Sequence, residues 1–156
     1  MSDTAIVRDE HKPRILFLCT GNSCRSQMAE GWLRALHGNR FAALSAGIVA
    51  HGMNPLAQQV MAEAGVDIAE QQSKTVLQLQ QLQQMPDIVV AVCDHAAETC
   101  PAWPNDVRIL RHSFDDPPAL AKTASSEEEA LQHYRRVRDE IQHFVLHIDQ
   151  HLAQKN

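Results

Sequence analysis

The side chains in this sequence most suited to covalent chemistry are cysteines, and one of them stands in a telling neighbourhood. Cys19-Thr20-Gly21-Asn22-Ser23-Cys24-Arg25-Ser26 follows the apolar run Ile15-Leu16-Phe17-Leu18. It precedes a segment with helical periodicity that begins near Gln27. A strand that feeds a turn of small residues and then opens a helix exposes a row of backbone N–H groups, reinforced by the positive end of the helix dipole. Such a concavity binds an oxyanion. Thr20, Gly21, Asn22, Ser23, Cys24, Arg25 and Ser26 are therefore the expected oxyanion-binding residues, with the Arg25 fork matched to two oxygens of a phosphate-like group. Cys19 faces the same donors, which would hold its thiolate, and Ser26 is expected to hydrogen-bond its sulfur. The plainer alternative is a strand-to-helix turn with a buried cysteine. Position at a strand–helix junction favours the nucleophile.

Around this stretch the chain alternates short apolar runs with helical patterns. Residues 14–18 read as a buried strand. Met28, Trp32, Leu33, Ala35 and Leu36 make a helical stripe that ends near Gly38. Phe41 to Ala46 reads as a second strand. Asn54 and Pro55 then cap and open a helix that runs to Gly65, and Val76 to Leu82 reads as a short one. Ile88 to Val92 is a third strand with Cys93 at its end, and Val107 to Leu110 a fourth. Residues 119–126 read as a flexible polar connection. Ser125 or Ser126 then caps a last helix that continues through Leu131, Tyr134, Val137, Ile141, Val145 and Ile148, its first turn Glu127-Glu128-Glu129 matched to the dipole. The expected fold is α/β: an open four-stranded parallel sheet with helices on both faces. Ligands bind such sheets beyond the carboxyl ends of the strands. Cys19, Cys93 and the Asp115-Asp116 loop should therefore share one rim.

Composition narrows the function. The chain has 156 residues, which suits one catalytic domain over 14–156 after a tail at 1–13. Its formal charge of -5 argues against a broad nucleic-acid surface, so any anion site must be a local positive feature. No apolar run approaches the ~20 residues that span a bilayer, and the first residues lack a hydrophobic signal region. A monomer in the cytoplasm is the expectation. In that compartment Cys19, Cys24, Cys93 and Cys100 are reactive or metal-binding sooner than structural. Neither Cys19/Cys24 nor Cys93/Cys100 has zinc-knuckle spacing, and no metal is expected.

Beyond the cysteine loop, Ser45-Ala46-Gly47, His51-Gly52, Asn54-Pro55, Phe114-Asp115-Asp116-Pro117 and Arg136-Val137-Arg138-Asp139-Glu140 complete a recognisable set. Over about residues 14–148 the sequence resembles the thioredoxin-coupled arsenate reductases of the low-molecular-weight protein tyrosine phosphatase superfamily. That resemblance implies reduction of arsenate to arsenite, for arsenic detoxification, by a three-cysteine relay without a bound cofactor. Cys19 would be the nucleophile, Asp116 the acid before proline, and Cys93 and Cys100 the resolving thiols. Thioredoxin, or less readily glutaredoxin, would reduce the final Cys93–Cys100 bond. Some relatives hold potassium beneath the loop with positions matching Asn22, Glu30 and Ser45 plus an aspartate. Here the aspartate position is Lys74, so the resemblance implies an ammonium paired with Glu30 where the cation would sit.

Two other readings remain open at this stage. One is a phosphotyrosine phosphatase in which Cys93 and Cys100 are incidental; one Tyr, two Trp and four Phe leave few rings to stack a phenyl group. The other is an oxyanion or redox sensor, for which no DNA-binding pattern speaks. Geometry adds one constraint to the relay. In a regular helix, residues 93 and 100 would lie about 10.5 Å apart along the axis, whereas a disulfide tolerates about 7 Å between alpha carbons. Residues 93–104 are thus expected to be a redox switch that unwinds. His143, His147 and His151 recur every four residues, which on one continuous helix makes a shared face.

Overall fold

Four consecutive apolar residues, Ile15 to Leu18, make a strand that can be covered on both faces, and all four are fully buried. They form the core of β1 (Arg14–Cys19), an inner strand of the sheet. The computed structural model describes residues 12–94, 103–104 and 106–154. After β1 come α1 (Arg25–His37), β2 (Ala42–Gly47), α2 (Pro55–Glu63), α3 (Val76–Gln81), β3 (Ile88–Ala91), β4 (Arg108–Arg111), α4 (Pro117–Ala121), α5 (Glu127–Leu146) and α6 (Ile148–Ala153). All four strands are parallel, in the order β2-β1-β3-β4. The α/β parallel sheet read from the sequence is the one found.

That order reverses direction between β1 and β3, the switch point at which crossovers leave for opposite faces and open a crevice. Register brings both strand ends to the crevice: Leu18 pairs with Ala91, and Cys19 pairs with Gly47 on the other side. Cys93 lies two residues past the last residue of β3. It therefore emerges beside Cys19. Behind this rim, α1 and α5 pack together over a core that includes Met28, Leu33, Val137, Ile141 and Val145, all fully buried.

Two elements depart from the sequence expectations. Residues 117–121 form a short helix, α4, which takes up the start of the polar connection expected over 119–126. Two prolines at its start fix φ near the helical value and need no amide partner, which outweighs the weak apolar periodicity. The last helix is broken at His147, where φ is -103° and ψ 29°. The His147 side chain bonds the carbonyl of its own preceding turn, His143 O, at 2.9 Å. His151 consequently belongs to α6 and stacks on Phe144 at 4.3 Å. The three histidines are not one exposed row. Among the described residues no group of three or more His, Cys, Asp or Glu is placed to hold a metal ion.

Candidate active site

β1 ends at Cys19 and α1 begins at Arg25, so the cradle is the turn between them. The helix starts three residues before the apolar stripe does, because its first residues, Arg25, Ser26 and Gln27, are polar. Cys24 at its N-cap makes no side-chain capping bond, which leaves the first amides for a ligand. The loop carbonyls are turned outward into the segment after β2. Val49 N donates to Thr20 O at 3.0 Å, His51 N to Gly21 O at 2.9 Å, and Asn54 N to Ser23 O at 3.1 Å. Gly47 is required where that segment leaves β2: a Cβ there would lie 2.4 Å from Val49 O and 2.7 Å from Thr20 O.

Asn22 holds the loop in shape. It takes φ of 48°, a left-handed geometry that a non-glycine residue adopts at a cost unless surroundings fix it. Its amide donates to Ser26 Oγ and Ser45 Oγ, both at 2.9 Å, and its oxygen accepts from Lys74 N at 2.8 Å and Gln27 Nε2 at 2.9 Å. Ser26 is therefore engaged by Asn22; among the described residues no hydrogen bond joins it to the Cys19 sulfur, as the sequence had suggested. Ser45 passes the network on, donating to Glu30 Oε1 at 2.5 Å. Glu30 is buried, meets Arg34 on its other oxygen, and lies 3.7 Å from Lys74 Nζ. Lys74 Nζ also donates to Gln72 O at 2.8 Å. Burial lowers the Lys74 pKa from its usual value, with the Glu30 carboxylate pulling the other way.

The cradle opens into a cavity of about 640 Å³ whose lining includes Cys19, Cys24, Arg25, Cys93, Asp115 and Asp116. Strand ends thus bring the sequence-selected residues together. Arg25 donates through Nη1 to Phe114 O at 2.8 Å and places Nη2 3.6 Å from Asp116 Oδ1. Its Nε is buried and has no hydrogen-bond partner among the described residues. The two neighbouring aspartates diverge: Asp115 Oδ2 accepts from Arg136 Nη2 at 3.0 Å, while Asp116 keeps to the Arg25 side. Arg136 also pairs with Glu140 Oε2 at 2.9 Å on its own helix, and no local signal in the sequence marks its contact with Asp115, 21 residues away in the chain. Tyr134 was likewise assigned only to the core. Its hydroxyl accepts from Asn54 Nδ2 at 3.0 Å, tying α5 to the cap of α2 beside the loop. A second hollow, of about 920 Å³, lies between the loop after β4 and α5; it shares Phe114 but holds none of the cradle.

The sulfurs are the decisive groups. Cys19, Cys24 and Cys93 are all buried. Cys19 is hydrogen-bonded to Cys93, and Thr20 Oγ1 lies 3.5 Å from Cys93 Sγ. That bond to Cys93, then burial, raises the Cys19 pKa well above the ordinary thiol range against the pull of Arg25 and the Thr20 amide. Two adjacent buried thiols cannot both ionise readily, so the pair shares one ionisation. The donors expected to hold a Cys19 thiolate, Arg25 and the Thr20 amide, are in place, and the Cys93 contact and burial act against them. Burial raises Cys24 as well. Cys100, and most of the expected redox segment, lie outside the described residues.

The chain belongs to the low molecular weight phosphotyrosine protein phosphatase family, whose model matches residues 14–156. Within it the similarity is to arsenate reductases. The arsenate reductase of Halalkalibacterium halodurans is 51% identical over 131 residues, 84% of this chain and 91% of the relative. That of Bacillus subtilis is 46% identical over 127 residues, 81% and 88% of the two chains. A solved arsenate reductase in the phosphate-binding state matches with a TM-score of 0.73 at 26% identity, over 90% of this chain and 99% of that one.

Proposed function

We propose that the protein reduces arsenate to arsenite through a thiol relay drawn from its own chain and recycled by thioredoxin. The observation that carries this is the second thiol: Cys93 is within hydrogen-bonding reach of Cys19 inside the oxyanion cavity. A phosphatase needs only water at that point. The relatives at 44–51% identity carry the name arsenate reductase, which agrees.

Arsenate sits in the cradle, its oxygens on the loop amides of Thr20 to Ser26 and on the Arg25 fork. Cys19 attacks arsenic as thiolate, a sulfur–arsenic bond forms, and one arsenic–oxygen bond breaks. Asp116 gives its proton to the departing oxygen, which leaves as water. Cys93 thiolate then attacks the Cys19 sulfur. The electrons of the sulfur–arsenic bond stay on arsenic, which leaves as arsenite in the +3 state, and a Cys19–Cys93 disulfide remains. Cys100 thiolate attacks Cys93, releases Cys19 and leaves Cys93–Cys100. A thioredoxin dithiol returns two electrons to that disulfide and restores the three thiols. Beneath the loop, the Lys74 ammonium paired with Glu30 takes the part of a structural cation. The reaction is assigned to a monomer in the cytoplasm, where thiols are kept reduced.

The test is arsenate-dependent NADPH oxidation with thioredoxin and thioredoxin reductase, for wild type, Cys93→Ser and Cys100→Ser. Turnover by wild type and its loss in both variants is expected. Survival of turnover in Cys100→Ser moves recycling to an outside thiol. Absence of turnover in wild type, beside rapid hydrolysis of p-nitrophenyl phosphate, returns the protein to phosphatase chemistry.

A further inference from the structure

The cavity has an acidic rim. Asp94, Asp115 and Asp116 line it, and among the described lining residues only Arg25 and His51 can carry positive charge. Arg25 already spends Nη1 on the Phe114 carbonyl and faces Asp116. A tetrahedral inorganic oxyanion near neutral pH carries roughly 1.5 to 2 negative charges and several acceptor oxygens, as phosphate groups do. The loop amides supply donors at the floor. The oxygen that points away from Cys19, toward the mouth, meets the acidic rim unless another donor is there.

His51 is held at that mouth. Its backbone N–H bonds Gly21 O at 2.9 Å, between the bonds from Val49 to Thr20 and from Asn54 to Ser23. Three anchors fix the segment along the cradle, so the side chain is placed by backbone bonds. The imidazole lies directly on Gly21. A Cβ on that residue would sit 2.5 Å from Nδ1, 3.1 Å from Cγ and 3.3 Å from Cε1 of the ring. The ring takes the space that a side chain at position 21 would fill, and the residue is exposed, at the opening and not on the floor.

We propose that His51 is a further recognition residue of the oxyanion site, donating an imidazole N–H to the outward oxygen of a bound inorganic oxyanion. The proposal deepens the assignment above and rests on the same pocket. It also gives that pocket a preference. An inorganic oxyanion keeps a polar oxygen at the mouth, where the imidazole donor meets it. An aryl ester presents an apolar group there and leaves the donor unpaired. His51 thus selects free arsenate or phosphate over phosphate esters.

The experiment is calorimetric titration of wild type, His51→Phe and His51→Gln with inorganic phosphate. Arsenate reduction and p-nitrophenyl phosphate hydrolysis are measured on the same preparations. Phe keeps a ring on Gly21 without an N–H; Gln keeps a donor without the ring. His51→Phe should bind phosphate about fivefold to tenfold more weakly, the scale of one charge-assisted hydrogen bond at a partly solvated site. Its arsenate KM should rise by a similar factor with kcat little changed, and its ester hydrolysis should hold or increase. His51→Gln should stay near wild type. Phosphate affinity of His51→Phe within twofold of wild type overturns the proposal. So does equal weakening in both variants, because the donor that Gln retains would then make no difference. Weakened phosphate binding in His51→Phe, alongside a wild type that does not reduce arsenate, keeps the recognition residue and removes the reaction.

Discussion

Replacing Lys74 with alanine perturbs the buried carboxylate under the cradle, and the structure fixes the scale of the effect. The Lys74 side chain is 20% exposed and that of Glu30 7%, with 3.7 Å between charges. Stripping a buried ion of its only partner costs about 3–5 kcal/mol. Glu30 is better provided, since it keeps the Ser45 hydroxyl at 2.5 Å and the guanidinium of Arg34, itself half exposed. The expected loss is therefore about 1–2 kcal/mol. For a chain of this size that is a fall in Tm of about 3–7 °C. The same substitution leaves the Glu30 carboxylate, Ser45 Oγ and the Gln72 carbonyl around the vacated ammonium position. Buried charge is tolerated when paired or when it coordinates a metal ion, so the variant should acquire a response to potassium. Potassium at ten times its Kd would restore about 1.4 kcal/mol. The assay is thermal melting in potassium chloride against choline chloride at equal ionic strength. Wild type should be indifferent to the exchange, and Lys74→Ala should recover in potassium. A variant that melts within about 1 °C of wild type, or one that potassium leaves unchanged, would refute the reasoning that Lys74 serves as the scaffold's cation.

Three further outcomes are expected. Cys93→Ala removes the largest influence that raises the Cys19 pKa, so the midpoint of Cys19 alkylation by iodoacetamide should move to lower pH; an unchanged midpoint would count against the shared thiol pair. Asp116→Asn should lower kcat for arsenate on the order of 10²-fold. Asp115→Asn, which breaks only the contact with Arg136, should lose less than about tenfold, and equal losses would show that the two carboxylates are not distinguished. His112 stacks on Phe144 at 4.4 Å, and burial, followed by His151, depresses its pKa. Burial likewise depresses His151. Both are more easily protonated in the unfolded chain, so their stabilising share is present above about pH 6.5 and falls away as pH drops from there toward the folded values. Tm should decline from pH 7 to pH 5, less so in His112→Phe; identical slopes would dismiss these histidines as the cause.

Much of the chemistry was legible in the chain because it is local. The thiol loop, the apolar strand before it and the helix after it are contiguous, and backbone stereochemistry turns that run into an amide-lined concavity. The Asn54-Pro55 start of α2 is another contiguous signal: the Asn54 side chain accepts from Leu56 N and Ala57 N, as its position before proline predicts. Alternating apolar runs likewise dictated a parallel sheet, and parallel strands carry their ends to one rim. What escaped depends on contacts between distant segments. Arg136 chooses between adjacent aspartates from 21 residues away, and His51 reaches the cradle through a segment anchored to three loop carbonyls. The break at His147 is set by a side chain turned back on its own helix, which periodicity cannot register.

Sequence by itself determined which groups are present and in what local geometry: a thiol, a guanidinium fork and small residues that let backbone amides converge. Only the tertiary structure decided what lies against that thiol. The strand order places Cys93 next to Cys19, where the Cys93 contact and burial push the thiol pKa up while Arg25 and the Thr20 amide pull it down. The shared rim follows from the parallel strands, but how closely two sulfurs meet on it is a property of packing.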